Sequence, residues 1–198
     1  MPKKTTILIV ILAIITGILI FLAVRSDQGQ NLLSNDPNET TPTQVQPFAA
    51  MSFEPSTLDA STGPSTQSVN VVIDTQGKPA AGAQIELTYN PSAISNVTVK
   101  TPETSFFGQN PSVLINAVDP TQGRISYAVG ISASEAEKSG RGTLATITFT
   151  VNRPAGIATT NLTFLPKSAV TTLSAQGSIL NNTTPLEIRL TPLSPAAN

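Results

Sequence analysis

The sequence contains no histidine, no cysteine and no tryptophan. Each absence closes a class of function. Without an imidazole there is no Ser-His-Asp or Cys-His machinery, so hydrolysis by those routes is excluded. Zinc sites built from thiolates and imidazoles are excluded with it. Without cysteine there are neither disulfides nor a bacterial lipid-anchor thiol, although an oxidising compartment stays open. Charge is scarce as well: the net value is −1 over 198 residues, and beyond residue 26 twelve acids face eight bases. Such a body has no basic patch for a phosphate backbone, which argues against nucleic acid as a partner.

What is present begins with one long apolar run at residues 7–24, relieved only by Thr16 and Gly17. Its 18 residues at about 1.5 Å each would reach about 27 Å as a helix, close to a hydrocarbon core. Lys3 and Lys4 precede it, and Arg25, offset by Asp27, follows. The positive-inside rule then expects residues 1–6 in the cytoplasm, a signal-anchor helix over 7–24, and the rest outside the cell. The alternative is a cleaved signal peptide with its cut after Ser26. Against it, the run is longer than an ordinary signal core and no Ala-x-Ala site follows. Residues 25–47 are polar and turn-rich, with Asn35-Asp36-Pro37-Asn38 and Thr40-Thr41-Pro42-Thr43, and read as a flexible linker.

From Phe48 the text changes to alternation and turns. The organising stretch is residues 142–151, Gly-Thr-Leu-Ala-Thr-Ile-Thr-Phe-Thr-Val. Every second residue gives Ala145, Ile147, Phe149 and Val151 on one face, and Leu144, Thr146, Thr148 and Thr150 on the other. That period belongs to a strand with one buried face, and the threonines disfavour a helix. Similar alternation recurs at 49–53, 69–73, 83–89, 125–129, 162–164 and 186–190, with a short strand at 94–99, an apolar run at 113–118 and shorter apolar points at Val170 and Ile179. Proline and glycine turns such as Asp119-Pro120-Thr121-Gln122-Gly123 separate them. The expectation is an all-β chain: a jelly-roll or immunoglobulin-like sandwich of about nine strands over 48–191, preceded by one transmembrane helix and followed by a tail at 192–198. The one helical candidate is a turn or two at 132–138.

Three passages carry a family resemblance. Residues 83–94, Ala-Gln-Ile-Glu-Leu-Thr-Tyr-Asn-Pro-Ser-Ala-Ile, resemble the Tyr-Asp-Pro-x-x-Leu passage of bacterial cohesin domains, with Asn90 for the aspartate and Ile94 for the leucine. Gly123-Arg124-Ile125-Ser126-Tyr127 is similar to their Gly-x-Ile-Ser-Phe strand. Residues 140–149 resemble their glycine-led Leu-Ala-Thr-Ile-Thr-Phe strand. The order and spacing match over about residues 50–190. The resemblance implies a nine-stranded jelly roll that docks dockerin-bearing proteins in polysaccharide degradation, with calcium held on the partner's side. It also implies a partner-binding sheet face drawn from strands at 82–89, 113–118, 123–130 and 142–151. The residues facing away from the core there would be Gln84, Glu86, Thr88, Asn116, Ser126, Ala128, Leu144, Thr146 and Thr148, with Leu144 as an exposed contact.

Other candidates for chemistry are weak. Tyr89 and Tyr127 alternate in phase with Ile85, Leu87, Ile125 and Val129, so both are expected in the core. Flat binding of crystalline cellulose, which uses exposed aromatic platforms, is thereby disfavoured. Direct polysaccharide binding through a loop or groove, and a structural role in the cell envelope, remain as alternative functions. Glu135 and Glu137, beside Lys138 and Arg141, read as a solvated loop rather than an acid–base pair. Asp119 is placed to cap its own turn, and no ligand spacing marks a metal site. Phe106 and Phe107 are expected to plug one end of the sandwich. Asn38, Asn96, Asn161 and Asn182 each open an Asn-x-Ser/Thr sequon. The expected function is non-catalytic and needs no cofactor.

Overall fold

The computed structural model describes residues 46–60, 64–152, 154 and 156–190. The expected membrane span at 7–24, the linker as far as residue 45, the sequon at Asn38 and the tail at 192–198 lie outside the described residues. Among the described residues no helix is long and apolar enough to cross a membrane.

The described chain is all β, in two facing sheets. The strands are β1 (Ala49–Glu54), β2 (Thr57–Asp59), β3 (Ser65–Asp74), β4 (Gly82–Thr88), β5 (Ile94–Lys100) and β6 (Ser112–Asp119), then β7 (Arg124–Gly130), β8 (Arg141–Val151), β9 (Thr159–Phe164), β10 (Ala169–Thr171), β11 (Leu180–Thr183) and β12 (Leu186–Arg189). A five-stranded sheet runs β11-β1-β3-β8-β5, and a seven-stranded one runs β2-β12-β9-β4-β7-β6, with β10 also paired to β4. Only β1–β11 and β2–β12 are parallel among these pairs. Residues 132–138 form a single turn, with the Glu135 N–H donating to Ser132 O, rather than a helix. The segment is held instead by a bridge between Ala80 and Lys138.

Alternation explains the core. Ala83, Ile85 and Leu87 of β4 point inward between outward Gln84, Glu86 and Thr88. Ile147, Phe149 and Val151 of β8 meet them from the other sheet, in one cluster that includes Met51, Phe53, Tyr89 and Tyr127. The Phe53 and Phe164 rings lie 5.0 Å apart, tilted by 38°. Burying such aromatic and branched side chains supplies the main driving force of a sandwich without disulfides. Phe107 is buried and Phe106 stands against it at 5.0 Å, edge to face, closing one end as expected.

Two bulges alter the phase read from sequence. In the β3–β8 pair, Val71 faces Ala145 but Val72 faces Thr143, which leaves Leu144 as the extra residue. In the β6–β7 pair, Val113 faces Val129 but Ile115 faces Ala128, which leaves Leu114 extra. An extra residue in one strand of a pair flips every side chain beyond it.

Candidate docking face

The outward side of the seven-stranded sheet is built mainly by β4, β7 and β6, with β10 along one end. Gln84 lies opposite Ala128 and Glu86 opposite Ser126 across β4 and β7. Glu86 sits at the centre. One carboxylate oxygen accepts from Ser126 Oγ at 2.7 Å and the other from Gln84 Nε2 at 2.9 Å. Among the described residues, no lysine or arginine pairs with it. Its negative charge is therefore fixed in direction and offered outward.

The β4 backbone at Glu86 changes neighbour, from β9 at Leu87 and Thr88 to β10 at 82–84. Ser168 fills the gap. Its hydroxyl accepts from Glu86 N and donates to Glu86 O, both at 3.1 Å, and Leu165 N adds a bond to the same carbonyl. This satisfies a backbone unit that would otherwise sit without a strand partner.

Beyond Glu86 the face turns apolar. A groove of about 370 Å³ is lined by Gly82, Gln84, Leu114, Ala128, Ile131, Leu173 and their neighbours. Gly82 and Gly130 lie opposite each other, and a methyl on Gly130 would come within 2.8 Å of Ala81 O, so the floor has no room for a side chain. Ala128 is only 7% exposed because it belongs to this floor, although it points away from the core. The rim is the reverse: Leu114 is 75% exposed and Leu173 74%, and Ile115, next to Leu114 in β6, lies opposite Ala128 on the same sheet. Leucines so exposed around a sunken floor are the usual mark of a contact surface.

The nine residues expected on one face do not all share it. Gln84, Glu86, Thr88, Ser126 and Ala128 do. Asn116 does not: the bulge at Leu114 puts it opposite Tyr127 on the inner side, where its Nδ2 donates to Val99 O at 3.1 Å and ties the sheet edge to β5. Ile115 and Ala117 take the outward positions instead. Leu144, Thr146 and Thr148 belong to β8, which pairs with β3 and β5 in the other sheet. Leu144, expected as an exposed contact, is fully buried at 0% because the β8 bulge turns it inward beside Ala145. Thr146 donates to Asn70 Oδ1 at 2.9 Å and Thr148 pairs with Ser68 Oγ at 3.3 Å, on the outward side of the five-stranded sheet.

Sequence reasoning missed Leu114, Ile115, Leu173 and the glycine floor. One signal was available: Val113, Leu114 and Ile115 are three consecutive apolar residues in a segment that should alternate. Leu173 lies in a polar loop and carries no such signal.

A family model of the cohesin domain matches residues 55–189. The chain belongs to the cohesin family. Solved cohesins share its fold. A cohesin from Clostridium acetobutylicum superposes with a TM-score of 0.57 at 22% identity, covering 74% of this chain and 92% of its own. A type I cohesin of Clostridium thermocellum, solved as a complex with a dockerin, gives 0.60 at 13% identity over 76% of this chain and 97% of that one. A non-cellulosomal cohesin from the hyperthermophilic archaeon Archaeoglobus fulgidus gives 0.51 at 16% identity, over 74% and 92%. No curated protein sequence matches the chain.

The residues that carry the family resemblance are framework rather than face. Asn90 caps its turn through Oδ1, accepting from Ser92 N at 2.9 Å, while Ala93 N and Ile94 N bond its carbonyl. Gly123, at φ 62°, lies so near that a methyl group would come within 2.2 Å of Tyr89 O, and Tyr89 N donates to Gly123 O at 2.9 Å. These contacts bolt the β6–β7 hairpin to the end of β4. Asp119 caps that hairpin by accepting from Thr121 N and Gln122 N, as its position in the turn suggests.

Proposed function

We propose that this cohesin is a membrane-anchored docking module outside the cell. In this reading it binds a dockerin-bearing protein through the outward side of β4, β6 and β7. The observation that carries the reading is the pairing of a fixed carboxylate, Glu86, with a groove rimmed by exposed Leu114 and Leu173. A protein partner suits it. An apolar side chain fills the groove, and a donor beside it meets Glu86, which is how interfaces combine a dry anchor with a charge-assisted bond. The known dockerin complex of the Clostridium thermocellum relative supports the class of partner. Direct polysaccharide binding has less in its favour, because the exposed large apolar residues among the described residues are Val113, Leu114, Ile115 and Leu173, none of them aromatic.

The test is binding of the full-length chain to purified dockerin modules encoded by the source organism, with calcium and after chelation. Leu114→Asp places a charge on the rim without touching the core and is expected to weaken binding roughly a hundredfold. Thr148→Asp, on the other sheet, is expected to leave binding unchanged. Chelation should abolish binding by unfolding the calcium loops of the partner. Loss with Thr148→Asp and not with Leu114→Asp would move the site to the opposite face. Retention of polysaccharide in place of every dockerin would transfer the function to glycan binding.

A further inference from the structure

Leu173 belongs to the loop that follows β10, yet it is held in a defined place. One oxygen of the Glu137 carboxylate accepts from Leu173 N at 2.7 Å and also from Thr172 Oγ1. Ser174 N and Oγ then fold back on Thr172 Oγ1 at 3.4 and 3.1 Å. Glu137 is itself fixed, because its neighbour Lys138 exchanges backbone bonds with Ala80 at 2.8 and 2.9 Å. The next residue, Ala81, bonds Thr171 O at 2.7 Å and accepts from Ile131 N at 2.9 Å. The β7–β8 connection thus reaches across the end of β4 and grips the loop that carries Leu173. Gripping a 74%-exposed leucine gains the fold no burial of that side chain.

We propose that Glu137 is a positioning residue for partner binding: its carboxylate latches the 172–174 loop so that Leu173 stands ready as a wall of the groove. This inference rests on the docking reading above and adds a determinant outside the face itself. Holding the loop in its bound shape beforehand removes an ordering cost from association, so losing the latch should weaken binding although Glu137 touches no partner. A carboxamide keeps an oxygen that can accept both bonds, whereas alanine keeps none.

The experiment uses the full-length chain with Glu137→Ala, Glu137→Gln, Leu173→Ala and the Glu137→Ala/Leu173→Ala double variant. Two readings are taken: hydrogen exchange at the Leu173 amide, and affinity for the dockerin that binds the wild type. Glu137→Ala is expected to speed exchange at Leu173 and to weaken binding roughly tenfold, as Leu173→Ala does. The double variant should bind no more weakly than Leu173→Ala alone, and Glu137→Gln should resemble the wild type. Unchanged exchange in Glu137→Ala overturns the latch. Weakened binding in Leu173→Ala with none in Glu137→Ala overturns the proposal and leaves the docking reading standing. Additive losses in the double variant show Glu137 acting by another route and also overturn it. If the wild type binds no dockerin, the docking reading falls, and this inference falls with it.

Discussion

At the scale of single residues, Tyr127 shows how a buried polar atom is kept satisfied. Its ring is enclosed between the sheets, and its hydroxyl lies 2.8 Å from Thr101 Oγ1. Tyr127→Phe removes that bond while keeping the ring, so a loss of about 1 kcal/mol is expected in urea or thermal unfolding. Burial also pushes the phenol of Tyr127 above its ordinary value, and the Thr101 bond only partly counters this. Tyr89 is raised by burial and then by the nearby negative charge of Asp119. The direction fixes the pH dependence. Both tyrosines hold their protons more tightly folded than unfolded, so the stability they contribute is complete below the ordinary phenol value of about 10 and declines as pH rises through it. Unfolding midpoints measured across alkaline pH should fall there, and less steeply in Tyr127→Phe.

Among the elements, the two bulges decide what each strand shows to solvent. A perfectly alternating β8 would expose Leu144; the extra residue turns it inward against the core instead. Leu144→Asp is therefore expected to cost about 3–5 kcal/mol, the range for an uncompensated buried charge. Thr148→Asp, on the same strand's solvent side, should change stability by no more than about 0.5 kcal/mol. Chemical denaturation of the two variants separates them, and equal stabilities would refute the inward turn of Leu144. The β6 bulge has the opposite effect. It lifts Leu114 out at the sheet edge and carries Asn116 inward to Val99. One strand thus loses an exposed leucine to a bulge, and another gains one.

For the whole molecule, the two outward sheet sides differ in character. One carries hydroxyl and amide pairs such as Ser68–Thr148 and Asn70–Thr146; the other carries the groove and Glu86. Their separation matters because a partner docked on one side leaves the other free. The expected anchor at 7–24 makes its own prediction. Expressed in full, the chain should fractionate with membranes, resist extraction by high salt, and lose its body to protease added outside intact cells. A chain recovered from the soluble cytosolic fraction would reject that topology.

The class of fold was legible in the residues alone, because period-2 alternation around Ile85, Tyr127 and Ile147 requires half-buried strands whatever their partners. The family was legible there too, since glycine and proline positions such as Gly123 and Pro91 answer to local turn geometry. Four of the nine expected face residues were misplaced and a fifth was only partly right, each for a physical reason that lies beyond local pattern. Asn116 and Leu144 were shifted by bulges, which arise from pairing between distant strands. Thr146 and Thr148 were outward as expected but on the other sheet, because alternation tells in from out and says nothing of which sheet a strand joins. Ala128 faced outward but lay sunken between taller neighbours. Leu173 reached the rim only because Glu137, distant in sequence, holds its loop there. Side-chain phase is a local property of the chain; the sheet, the neighbour and the depth are set by tertiary pairing.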